Sequence, residues 1–101
     1  MDIDDIVSFV ESKAMNTYRP HCIVWGALCT MMHKLKQILA KNPTTLRQAI
    51  DILSSWYLVI SYRADLREFI DKLPKEMRQT LKTLMDKAQA KADKAYHILF
   101  G

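Results

Sequence analysis

Glycine is almost missing from this chain: Gly26 and Gly101 are the only two in 101 residues. Proline is nearly as scarce, at Pro20, Pro43 and Pro74. Sheet proteins built from hairpins need such breakers every few residues, so that class is excluded. A lone Gly26 cannot build a loop that wraps a phosphate, and no Gly-x-Ser-x-Gly turn is present to lift a nucleophile. Cysteine is limited to Cys22 and Cys29. On one helix they would lie about 10 Å apart along the axis, too far for a disulfide. The pattern predicts two buried thiols in a reducing compartment.

Other absences narrow the function. There is no CxxC. Cys29 and His33 stand four apart, as helical metal ligands do, but His21 and His97 have no spacing that completes a set, so no metal and no cofactor is expected. No Cys–His or Ser–His pair comes with a visible orienting group, so an enzyme is not expected. No segment reaches the ~18 apolar residues of a membrane-crossing helix. The acidic start is unlike a signal peptide, and Asp2 excludes N-myristoylation of the chain as written. The expected location is cytoplasmic.

What the chain does contain is a globular composition, 50% hydrophobic and 26% charged, at a length that suits one domain over residues 1–101. Its most apolar part runs from Cys22 to Lys41, where Ile23, Val24, Trp25, Leu28, Met31, Met32, Leu35, Ile38 and Leu39 leave almost no polar side. A helix of that kind must be wrapped by other elements or by another chain.

The prolines divide the sequence into helices. Asp2 or Asp4 can cap a first helix that runs to about Met15 and points Ile3, Ile6, Val7 and Val10 one way. Residues 16–20 break it, and Pro20 suits the first turn of a second helix ending near Lys41. Gly26 inside that helix costs up to about 1 kcal/mol against Ala, which predicts the close approach of another helix, in the same chain or across a dimer. Asn42 or Thr44 can start a third helix, with Leu46, Ala49, Ile50, Leu53, Trp56, Tyr57 and Ile60 as its stripe. Helices two and three are expected to be the central pair. A weak break at residues 61–63 precedes a short fourth helix over about Ala64–Lys72. A fifth starts at Pro74 and reaches about Leu99, long enough for its far end to project or to meet a second subunit. The fold class is therefore all-α: a compact bundle of four to five helices with a long C-terminal helix, expected to be dimeric or oligomeric.

Charge and apolar excess give two functional readings. The chain carries +4, unevenly, because Asp2, Asp4, Asp5 and Glu11 oppose only Lys13 in the first fifteen residues. Arg63 and Arg67 pair at i, i+4, while Lys75, Arg78 and Lys82 are repeated in spacing by Lys87, Lys91 and Lys94. Such rows could follow nucleic-acid phosphates without reading sequence. Peripheral contact with an anionic membrane would need oligomer avidity. The stronger reading is a non-enzymatic module that self-associates through apolar helix faces, since Met and aromatic residues are enriched at interfaces. The candidates for the combined core and interface set are Trp25, Trp56, Tyr57, Met77, Leu81 and Leu84.

Overall fold

The computed structural model describes residues 1–17 and 19–101, and of residues 19 and 20 the backbone alone. It is all-α, with five helices and, among the described residues, no strand. In chain order the helices are α1 (Ile3–Asn16), α2 (Arg19–Ala40), α3 (Leu46–Asp65), a single turn α4 (Arg67–Ile70), and α5 (Lys75–Phe100).

Local chemistry sets the helix starts. The Asp2 carboxylate accepts from the amides of Asp4 and Asp5, and the Asp5 carboxylate accepts from the Asp2 amide, a reciprocal cap on α1. For α3 the cap is Thr45 rather than Asn42 or Thr44. Its hydroxyl accepts from the Gln48 amide at 3.2 Å, and the Gln48 side chain reaches back to the Thr45 amide. Thr44 also donates to Gln48, through its amide and its hydroxyl, so it supports the cap without being it.

The expected break at residues 61–63 does not occur. No Gly or Pro interrupts that segment, and α3 continues to Asp65. The change of direction comes at Leu66, whose amide closes on the Tyr62 carbonyl at 2.8 Å. What remains of the fourth helix is one turn, α4. Pro74 then stands just before α5, with Glu76 in the favourable first turn.

Packing follows the apolar stripes. Ile6, Val7 and Val10 of α1 meet α2, whose Leu28, Met31, Met32, Leu35 and Ile38 are buried. Ala49, Ile52, Leu53 and Val59 of α3 and Leu81, Met85, Ala88, Ala92 and Ala95 of α5 close the core. α1 runs antiparallel to α2, because Asp4 pairs with Lys36 and Glu11 with His33. The Asp4 carboxylate hydrogen-bonded to Lys36 holds that ammonium's pKa above its ordinary value. α2 touches α1, α3 and α5 and is the central helix. α3 does not share that place; it packs on α2 and α5 and leaves one side bare.

α5 neither projects nor needs a second subunit for its length. The bundle is 46 Å along its long axis, and a 26-residue helix spans about 39 Å. Ala92 and Ala95 are buried, and Ile98 and Leu99 pack on the core, so alanines bring this end in close. Among its large apolar side chains Tyr96 and Phe100, with ring centroids 4.7 Å apart and tilted by 44°, turn outward. A Cβ at Gly26 would meet nothing within 4 Å, so among the described residues no helix of the same chain approaches it, and the approach across a dimer is the alternative left. Both thiols are free and only part-buried.

Candidate functional site

The feature that the core does not account for is the outer side of α3. Leu46, Ile50, Tyr57 and Ile60 recur at steps of four, seven and three, one line on a helix of 3.6 residues per turn. They are 61, 51, 58 and 37% exposed. The stripe of α3 is thus wider than the core can cover. Ala49, Ile52 and Val59 are taken inward, and so is Leu53, which lies on the same line between Ile50 and Tyr57 and divides it into two exposed pairs. Four large apolar side chains exposed along one side of a helix are unusual on a monomer surface, unlike a single exposed leucine.

Charge flanks the line at both ends. Arg47 and Asp65 are eighteen residues apart, about five whole turns, so they share one flank of α3. Both are exposed, and among the described residues neither is in an ion pair. The outward polar groups of α2 are different: the Lys36 ammonium pairs with Asp4 of α1, and the His33 ring hydrogen-bonds the Glu11 carboxylate at 3.1 Å.

The six apolar candidates separate on the structure. Leu81 is core. Trp25, Trp56, Met77 and Leu84 are half-buried against it, Trp25 meeting Phe9 edge-on at 6.4 Å. Tyr57 alone is on the bare line. Leu46, Ile50 and Ile60 belong there too. Their signal was the width of the apolar arc on helix three, which exceeds what two neighbouring helices can cover.

The eight basic candidates do not form one row. From Lys82 to Lys87 is five residues, a swing of about 140° around the helix. Arg78 and Lys82 therefore lie on one flank of α5, and Lys87, Lys91 and Lys94 on the other. Lys91 is committed elsewhere: its ammonium donates to the carbonyls of Leu39 and Lys41, closing the end of α2. Lys94 donates to the Asn42 side chain at 3.1 Å. Lys75 stands exposed at the start of α5.

Arg63, Arg67, Arg78 and Lys82 do come together. A groove of about 440 Å³ is lined by Ile60, Arg63, Ala64, Arg67, Ile70 and Asp71. An adjoining depression of about 130 Å³ shares Arg63, Ile70 and Asp71 and adds Arg78, Leu81, Lys82 and Met85. Asp71 was not among the sequence candidates; it arrives there because α4 is one turn and folds back between α3 and α5.

Little here supports covalent chemistry. The Cys29 thiol is pushed above its ordinary pKa by burial first and by the charge of Glu11 second, which disfavours the reactive thiolate. His33 turns to Glu11 rather than serving Cys29. Among the described residues no three His, Cys, Asp or Glu side chains gather as metal ligands, and no helix is long and apolar enough to cross a membrane. Compared with protein-family models, curated proteins and solved structures, the chain has no match.

Proposed function

We propose that this chain is a non-enzymatic assembly module that self-associates through the outer line of α3. The carrying observation is that Leu46, Ile50, Tyr57 and Ile60 stay exposed on a helix whose other apolar face is fully used. Burying such a line against its own copy removes it from water, the main driving force of association.

Charge favours an antiparallel two-fold arrangement. When two α3 helices run in opposite directions, one flank of each meets the same flank of the other. Arg47 of one protomer then lies beside Asp65 of the other, twice per dimer. The arrangement is isologous, as closed dimers require. The line is short for a standard interface of about 800 Å² per partner, so the dimer is reversible and follows concentration.

Light scattering coupled to size exclusion tests this. The expected result is a dimer that dissociates on dilution and is shifted to monomer by Tyr57→Ser without loss of helicity. Arg47→Asp and Asp65→Arg should each weaken the dimer, and the double exchange should restore it. A monomeric mass at about 100 μM would overturn the reading. The other reading, sequence-blind nucleic-acid binding, gains less support because its eight cations are divided between two flanks and Lys91 is already engaged. A short RNA duplex added to the same experiment separates the two.

A further inference from the structure

We propose that the groove between the end of α3, α4 and the start of α5 binds an oligophosphate group, a compact ligand carrying several phosphate charges. Arg63 and Arg67 line the larger groove, Arg78 and Lys82 line the smaller depression beside it, and Arg63 and Asp71 are shared by both, so two i, i+4 pairs of cations border the two adjoining hollows together. Among the described residues none of the four is in an ion pair. A single carboxylate, Asp71, stands among them, so the lining carries an excess of three positive charges.

Three of the four cations are arginines, whose planar donors match phosphate oxygens two at a time. Ile70 lies in both depressions, and apolar lining strengthens charge–charge attraction by thinning the water between ions. The 440 Å³ volume falls within the range of about 300–1,000 Å³ typical of small-ligand sites. The geometry favours a compact anion over a nucleic-acid strand on two counts. No aromatic side chain lines either depression, so bases have nothing to stack on. The cluster also ends where α5 turns its remaining lysines to the other flank.

Ile60 belongs both to the outer line of α3 and to the groove, so binding is tested at concentrations where the chain is monomeric. Tripolyphosphate is titrated calorimetrically into the full chain at fixed ionic strength, beside inorganic monophosphate and a short single-stranded RNA. One tripolyphosphate per chain is expected, bound more tightly than monophosphate. Arg67→Gln and Arg78→Gln should each weaken binding about tenfold, the loss of one charge-assisted contact. Lys87→Gln should leave it unchanged. Asp71→Asn should tighten it, because it removes the one opposing charge, whereas a purely structural Asp71 would give looser binding. No saturable binding, equal weakening by Lys87→Gln, or RNA bound more tightly than tripolyphosphate through the same arginines would each overturn the proposal.

Discussion

α2 is wrapped as its sequence suggests, whereas α3 is not. α2 is apolar on nearly every side, yet three neighbours cover most of it, and its outward charges find partners on α1. α3 has the cleaner amphipathic pattern, yet half of its apolar arc faces water. The difference lies in position within the bundle. A central helix can bury a wide arc because neighbours approach from several directions. A helix with two neighbours buries only the part of its arc between them, and any excess is left for another molecule.

The largest effect should separate the buried line from the bare one. Leu35 on α2 is fully buried and Ile50 on α3 is 51% exposed. Leu35→Ala is expected to destabilise the monomer by about 2–5 kcal/mol through lost burial and a residual cavity. Ile50→Ala should change monomer stability by no more than about 0.5 kcal/mol, yet lower the dimer population. Denaturant melts at low concentration give the first quantity, and melts across a hundredfold dilution give the second. Equal stability losses at the two sites would erase the distinction between core and outer face.

This also explains what could be read from the sequence. The all-α class, a cap at Asp2 or Asp4, the stripe of α1 and the start of α5 near Pro74 all follow from residues within one or two turns. The assignment of α3 as half of the central pair failed because a stripe gives an apolar arc but not the number of neighbours that cover it. The basic rows are divided for a different reason. Their spacing within each triplet was sound, but the five-residue step from Lys82 to Lys87 turns the second triplet away from the first. The convergence of Arg63 and Arg67 with Arg78 and Lys82 was illegible, since it depends on α4 being one turn. Of the expected break at residues 16–20, the end of α1 at Asn16 and the start of α2 at Arg19 are described, and Tyr18 lies outside the described residues.

A middle-sized effect sharpens how each helix end is held. α3 is started by its own neighbours, Thr45 and Gln48. The end of α2 depends on a distant residue, Lys91, which reaches the carbonyls of Leu39 and Lys41. Lys91→Met keeps the length of the stem and removes the charge-assisted bonds, so it should cost about 1–2 kcal/mol in thermal or denaturant unfolding. Lys87→Met, one turn away on the same flank and without those bonds, should cost little. If the two substitutions cost the same, Lys91 is a solvated cation and returns to the candidates for phosphate contact.

The smallest effect tests which helix meets the second copy. Gly26 lies mid-way along α2, on the outward side near Ile23, which is 78% exposed. The Gly26 carbonyl accepts from the Thr30 hydroxyl at 3.2 Å, a bond that a side chain at 26 leaves intact. A Cβ there meets nothing within 4 Å, so Gly26→Ala should stabilise the monomer by about 0.5–1 kcal/mol through helix propensity alone. For a domain of this size that is a rise in Tm of a few degrees, roughly 2–8 °C. If the dimer forms through α3, the same variant leaves the dimer dissociation constant unchanged. If a second copy instead lies close against α2, the added methyl meets it and the dimer weakens while the monomer still gains stability. Opposite signs in the two measurements would therefore move the interface from α3 to α2.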